Sequence, residues 1–266
     1  MEAPHSDIAA SFDARAERYN QNEWHRLCAE RLVGFSGVAP GHAVLDAGTG
    51  TGLAAVAAAR ATGRTGRVVA IDISAGMLRV ARRDAFEQGS APIEWVQGDA
   101  VDLPAYPSAT FDFVLCAAAL LYMPVPAALA EWRRLLRPGG TIAVSSMRAG
   151  WPLAGRVFRE CAAAFGFRLT DPSEALGSES AFHGTLRAAG FIDTTVVSDT
   201  VSFSNQDAEM AWESNLASAA HEAVRDASPE TVARIKTAFE VALCQEELRQ
   251  PGSTRNAEVL FARGAR

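Results

Sequence analysis

Val44-Leu45-Asp46-Ala47-Gly48-Thr49-Gly50-Thr51-Gly52 is the stretch on which the fold turns. A short apolar run carrying one aspartate passes into three glycines spaced by threonines, and Leu53-Ala54-Ala55-Val56 follows with the composition of a helix. Strand, tight turn and helix in that order bring the backbone close to whatever sits above the turn. Glycine tolerates the φ values such a turn needs, and the first helical turn offers N–H groups with no partner inside the helix. The spacing separates three readings. A nucleotide P-loop needs GxxxxGK[ST], but the only lysine in the chain is Lys236. A dinucleotide fingerprint needs a third glycine three residues after Gly50, where Leu53 stands. What remains is DxGxGxG, a modest signal alone, since many strand–glycine–helix turns bind nothing.

Working outward, the pattern repeats. Short runs rich in Val and Ile, at Ala43–Asp46, Arg67–Asp72, Ile93–Gln97, Phe111–Cys116 and Thr141–Ser145, alternate with helical segments that begin near Leu53, Ser74 and Pro126. Ser74 is placed to cap the second helix, whose Met77, Leu78, Ala81 and Ala85 face the sheet. Leu129, Trp132, Leu135 and Leu136 do the same for the third, which Pro138-Gly139-Gly140 stops. Continuous apolar strands alternating with helices mean a parallel sheet covered on both faces, an α/β doubly wound fold. Residues 6–38 read as helical, with Ile8 and Phe12 on one face and Trp24, Leu27, Cys28, Leu32 and Phe35 on another. After Ser146 the alternation lapses. One helical piece (Val157, Phe158, Cys161, Ala164) and a polar stretch precede Phe182–Ala189, a strand over Thr194–Phe203, two amphipathic helices and a last strand over Ala257–Ala262. The first amphipathic helix opens on a capping box, Ser204 with Asp207, and spaces Trp212, Leu216, Ala219 and Ala223; the second opens Ser228-Pro229-Glu230. The segments are an N-terminal helical lid (1–38), a ligand-binding core (39–150), and the end of the sheet carrying helical insertions at about 151–180 and 204–252 (151–266).

Two more strand ends carry acidic residues. Asp72 closes the second strand, 22 residues after Gly50, where a carboxylate can accept from both hydroxyls of a ribose. The plainer alternative, a strand-end residue capping the next helix, is open to Ser74 instead. Asp99, in Gln97-Gly98-Asp99-Ala100 after the third strand, is placed to accept from an adenine amino group with the Ala100 N–H toward a ring nitrogen, or else simply forms a turn. Three such strand ends on the carboxyl edge of one parallel sheet are far more specific than any one of them.

Composition narrows the partners. The chain of 266 residues is 48% hydrophobic and 21% charged, with a net charge of −6. An acidic balance without a basic stripe argues against nucleic acid; Arg82-Arg83 and Arg133-Arg134 read as solvated helix faces. Cys28, Cys116, Cys161 and Cys244 are scattered with no CxxC and no His at ligand spacing, so neither a metal site nor a disulfide framework is expected. Met1-Glu2-Ala3-Pro4-His5 has no basic n-region or apolar h-region, and no run of about 18 apolar residues exists to span a membrane. A cytoplasmic location is the expectation.

Residues 41–146 resemble the class I S-adenosylmethionine-dependent methyltransferases, closest to the group that includes ubiquinone- and menaquinone-biosynthesis enzymes. Besides the three strand ends, Phe111-Asp112-Phe113-Val114-Leu115-Cys116 is similar to that family's fourth strand, and Leu135-Leu136-Arg137-Pro138-Gly139-Gly140-Thr141 to its turn before strand five. The resemblance implies a mostly parallel seven-stranded Rossmann-like sheet and S-adenosylmethionine as cofactor. It places Gly48 and Gly50 beside the methionine part, Asp72 on the ribose with Ile73 and Met77 beside it, and Asp99 and Ala100 on adenine. Asp46 and the Cys116 backbone would lie near the cofactor's amino group. Tyr19, in Ala16-Glu17-Arg18-Tyr19, resembles an N-terminal tyrosine that closes over the cofactor. One departure stands out. Many relatives carry His where this chain has Leu121, in Ala119-Leu120-Leu121-Tyr122, so a proton acceptor must come from elsewhere.

Methyl transfer to an O, N or C atom of a small molecule is the implied activity, in a monomer or homodimer. His25, Tyr122 and His183 are the candidate proton acceptors, although a helix-surface or capping role competes for both histidines. An acceptor pocket is expected from the N-terminal helices, residues 151–180 and the insertion 204–252, where Trp212, Leu216 and Phe239 either roof it or pack against one another. A methyltransferase-fold protein recruited for cyclisation is the alternative function, since fold does not fix chemistry.

Overall fold

The computed structural model describes residues 5–21, 23–85 and 90–266. Residues 1–4, most of the stretch read above for an export signal, lie outside them. Three helices come first, α1 (His5–Asp13), α2 (Ala16–Tyr19) and α3 (Glu23–Ser36), followed by β1 (Ala43–Ala47), α4 (Leu53–Thr62), β2 (Arg67–Asp72), α5 (Ala75–Asp84), β3 (Ile93–Gln97), β4 (Phe111–Ala117), α6 (Val125–Leu135) and β5 (Leu136–Met147). The second half adds α7 (Leu153–Ala164), α8 (Glu179–Ala188), β6 (Ile192–Ser202), α9 (Asn205–Glu209), α10 (Ala211–Leu216), α11 (Glu222–Arg225), α12 (Pro229–Arg249) and β7 (Asn256–Ala265).

The strands form one seven-stranded sheet in the order β3-β2-β1-β4-β5-β7-β6. β1 through β5 are parallel, Val44 lying opposite Val68 on one side and Phe113 on the other, and β7 runs antiparallel between β5 and β6. Side chains alternate across the pleat, so consecutive residues serve opposite layers. Leu45, Val69, Ile71 and Val114 pack with Trp132 of α6 and Phe182 of α8, while Val44, Val68, Ala70 and Leu115 pack with Leu32 of α3 and Ala55, Ala58 and Ala59 of α4. Burial on both faces is why these strands read as unbroken apolar runs. Strand order reverses between β1 and β4, the point of a doubly wound sheet where ligands sit beyond the carboxyl ends.

The chain departs from the sequence pattern in two places. The amphipathic helix expected from Ser204 onward is broken into α9, α10 and α11, although its capping box forms: Ser204 N–H and Oγ both donate to Asp207 Oδ2, and Asp207 N–H donates to Ser204 Oγ. Second, β5 begins at Leu136, directly after α6, and its pairing with β4 shifts register between Phe111 and Phe113, so the Pro-Gly-Gly stretch is a bulge within a strand. Of the two roles open to them, Trp212 and Phe239 take the packing one, buried against Phe158 with ring centroids 5.3 and 6.1 Å from it. They form a small core of their own between α7, α10 and α12, so packing among the cap helices holds them. No helix among the described residues is long and apolar enough to cross a membrane.

Candidate active site

The glycine turn takes shape at the tip of β1. Gly48, Gly50 and Gly52 all have positive φ, of 70°, 56° and 85°. A side chain at Gly48 would meet Ala119 Cβ at 2.6 Å, and one at Gly52 would meet the Trp95 ring at 2.5 Å. At Gly50 a side chain would meet nothing within 4 Å. Gly48 N–H and Thr49 N–H both donate to Ile71 O at 2.9 Å, which ties the turn to β2.

The two aspartates flanking this turn face different surroundings. Asp72 accepts from Gly50 N–H at 2.7 Å through Oδ2 and from Ser74 N–H at 2.8 Å through Oδ1. Each carboxylate oxygen keeps a further lone pair, so the residue is held rigidly yet able to accept two more hydrogen bonds. Burial pushes its carboxyl above the ordinary range, against the pull of those N–H donors. Asp46 is fully buried; Thr49 Oγ1 donates to its Oδ2 at 2.6 Å, while Oδ1 makes no hydrogen bond. Burial, opposed by the Thr49 bond, lifts the Asp46 carboxyl to about 7. Asp99 begins the loop after β3, accepting from Val101 N–H at 3.0 Å, and Trp132 Nε1 donates to Ala100 O at 2.8 Å, fixing that loop on α6.

The N-terminal helices close over these strand tips. Asp13 Oδ1 accepts from Ser74 Oγ at 2.5 Å and from Gly76 N–H at 2.7 Å, while Ser74 Oγ in turn accepts from Met77 N–H and caps α5. Thr51 Oγ1 donates to Asn20. Tyr19 and His25 stack face to face at 4.1 Å, His25 lies 4.0 Å from Trp24, and Phe12 meets Tyr122 edge-on at 5.2 Å.

Two neighbouring cavities result. The first, about 950 Å³ of open space, is bounded by the glycine turn, Asp72, Ile73, Met77, Asp99 and Ala100 on the sheet side and by the lid aromatics on the other. Asp46 and Cys116 sit just behind its wall, where Thr49 and Ala117–Ala119 form the surface. Phe12, Tyr19, Trp24, His25, Ala118 and Tyr122 line both this cavity and a second, neighbouring one under the cap helices. His183 lies apart from both, on α8 against β6, its Nδ1 2.9 Å from Thr194 Oγ1. A histidine engaged there has no reach to either cavity, so the structure removes it from the proton-acceptor candidates.

A family model for the methyltransferase domain matches residues 44–140. A Nocamycin O-methyltransferase from Saccharothrix syringae is 31% identical, over 91% of this chain and 99% of that protein. The chain belongs to the class I S-adenosylmethionine-dependent methyltransferases. A ubiquinone/menaquinone biosynthesis C-methyltransferase from Cupriavidus taiwanensis is 37% identical over 54% of this chain and 61% of its own length. In fold, the methyltransferase is similar to phosphoethanolamine N-methyltransferase 2 of Haemonchus contortus, solved with S-adenosyl-L-methionine, at a TM-score of 0.54 and 18% identity over 93% of this chain and 52% of that one. S-adenosylmethionine is therefore the cofactor of this methyltransferase, and the protein is an enzyme that transfers its methyl group. The residues present fit that group: Gly50 leaves room for backbone contact, Asp46 Oδ1 is a buried acceptor without a partner, and Asp72 has two acceptor sites to offer.

The second cavity is lined by the segments from which an acceptor pocket was expected, the N-terminal helices, residues 151–173 and residues 207–221, but the side chains that meet there were not read from the sequence. Its polar residues, among them Arg159, Asp171 and His221, come from segments far apart in the chain. Arg159 and Asp171 form a half-buried pair at 2.8 Å.

Proposed function

We propose that the methyltransferase holds its cofactor in the first cavity and methylates, on oxygen, a largely apolar hydroxyl-bearing small molecule held in the second. The observation that carries this reading is the single aromatic wall shared by the two cavities. An acceptor in the second cavity and an adenosyl group in the first meet where Phe12, Tyr19, Trp24, His25, Ala118 and Tyr122 line both. The relative matched over nearly its whole length, cap included, is an O-methyltransferase, which supports oxygen as the acceptor atom. The net charge of −6 and the covered site support a small molecule in place of nucleic acid, and four free cysteines fit the reducing cytoplasm.

Each residue has a definite task. Asp72 accepts from the ribose hydroxyls, Asp46 acts on the ammonium from behind the cavity wall, and Asp99 with the Ala100 N–H holds adenine. The cofactor supplies a sulfonium methyl that is already electrophilic. What the chain adds is alignment of the acceptor oxygen and exclusion of water, worth up to about 7–11 kcal/mol of barrier in favourable cases. His25 and Tyr122 act as walls. Burial pushes the His25 imidazole down to about 3, leaving a neutral and weakly basic ring, and keeps the Tyr122 phenol protonated by raising it above its ordinary value.

The test uses 1,4-dihydroxy-2-naphthoate, which offers hydroxyl, carboxyl and ring-carbon acceptors on one apolar frame. Incubated with the enzyme and S-adenosylmethionine, it is expected to give an O-methyl product and one equivalent of S-adenosylhomocysteine. A ring-methylated product contradicts the choice of oxygen. A probe that binds beside S-adenosylmethionine without forming S-adenosylhomocysteine supports the cyclisation alternative, and a probe that does not bind contradicts the reading of the second cavity.

A further inference from the structure

His221 lies in the short turn between α10 and α11, at the wall of the second cavity, and is 3% exposed. Its ring is fixed on two sides. It stacks on Phe158 of α7 at 4.7 Å, and Nδ1 lies 2.8 Å from the Asn215 carbonyl oxygen. A carbonyl oxygen only accepts, so Nδ1 carries the hydrogen and the neutral ring's Nε2 is a bare lone pair. That Nε2 is buried and has no hydrogen-bond partner. An unsatisfied buried acceptor costs free energy unless something supplies a donor, and the cavity beside it is where a donor would come from.

We propose that His221 Nε2 is the general base of the reaction, receiving the hydrogen bond of the acceptor hydroxyl and then its proton. This rests on the assignment of the second cavity to the acceptor. As the acceptor oxygen forms its bond to the methyl carbon, the sulfur–methyl bond breaks with its electron pair left on sulfur, and the O–H proton passes to Nε2. The products are the methyl ether or ester, neutral S-adenosylhomocysteine and an imidazolium. The histidine thus supplies what Leu121 cannot.

The charged groups around the ring come from several elements. Arg159 of α7 disfavours the imidazolium and Asp171, after α7, favours it, while burial is the largest influence and lowers the ring's pKa. Arg15 and Arg18 of the lid, Asp207 of α9 and Glu213 of α10 line the same cavity. The ring therefore stays neutral, ready to accept, throughout the neutral range.

Two measurements on the full chain test this. The imidazole 15N spectrum of the S-adenosylhomocysteine-loaded protein, with His221 assigned by its absence in His221→Gln, is expected to show the Nδ1–H tautomer with an unprotonated Nε2 at neutral pH. An Nε2–H tautomer or an imidazolium there overturns the proposal, whatever the acceptor. Turnover of 1,4-dihydroxy-2-naphthoate is expected to fall about 10²–10⁴-fold in both His221→Gln and His221→Asn. Probe and cofactor affinities should change less than about threefold, and the variants' rate should rise with pH as the hydroxyl ionises unaided. Unchanged turnover, or cofactor affinity lost together with turnover, overturns the role. A wild-type enzyme that fails to bind the probe contradicts the cavity assignment itself and this role with it.

Discussion

Gly48 and Gly50 share a left-handed backbone but differ in what surrounds them, so the same substitution has different consequences. Gly48→Ala drives a methyl into Ala119 and Met123, and overpacking of this kind costs about 1–3 kcal/mol before the left-handed φ is counted. Thermal melting should therefore fall by several degrees. Gly50→Ala has open space before it and carries only the backbone cost of about 1–2 kcal/mol, so its main effect is expected on cofactor affinity. Equal melting losses in the two variants would contradict this. Asp46 gives a pH signature. Its carboxyl ionises near 3.8 in an ordinary setting and near 7 when buried here. The stability it contributes is thus full at low pH and is lost as pH rises through about 7. An ammonium beside it favours the ionised form, so cofactor binding expels a proton below pH 7, and affinity for S-adenosylhomocysteine should weaken by up to about tenfold per unit of acidification. Asp46→Asn should flatten that slope, leaving only what Asp72, also shifted upward, contributes. An identical slope in the variant would contradict the placement of Asp46.

At the scale of elements, the lid hangs on Asp13. Its carboxylate holds the N-terminus of α5 through Ser74 and Gly76, two and four residues beyond Asp72 at the tip of β2. Hydrogen bonds to charged groups are worth about 1.5–3 kcal/mol. Asp13→Ala is therefore expected to speed cofactor release by at least about tenfold in stopped-flow experiments, and to make cleavage within residues 5–21 insensitive to S-adenosylhomocysteine. Unchanged release would show that the lid closes by other means. Legibility divides along similar lines. β2 was readable to the residue because a strand buried on both faces has little but Val, Ile and Ala to offer, β3 by its short apolar run at the sheet edge, and Ser74 capped α5 where its chemistry required. The cap was not. Its periodicity ran from Trp212 to Ala223, yet the chain breaks at Met210 and again near Ser218, where Ser218 Oγ accepts from Ala220 N–H and begins a new turn. Local hydrogen bonding by a serine overrode a pattern that counted only apolar spacing.

For the molecule as a whole, the cofactor side was legible because its residues follow one another at fixed offsets from strand ends. On the acceptor side the contributing segments were legible but the side chains were not, because Arg159, Asp171 and His221 meet only through the packing of α7 against α10 and α12, which no spacing rule records. The central claim is that strand tips of one sheet grip an adenosyl group, with Asp72 holding its sugar. Calorimetric titration of the intact protein with S-adenosylhomocysteine tests it most directly. One site per chain is expected, weakened by about 10- to 100-fold in Asp72→Ala, the loss of one or two hydrogen bonds to a charged group. No heat of binding in the wild type, or undiminished affinity in the variant, would contradict the claim.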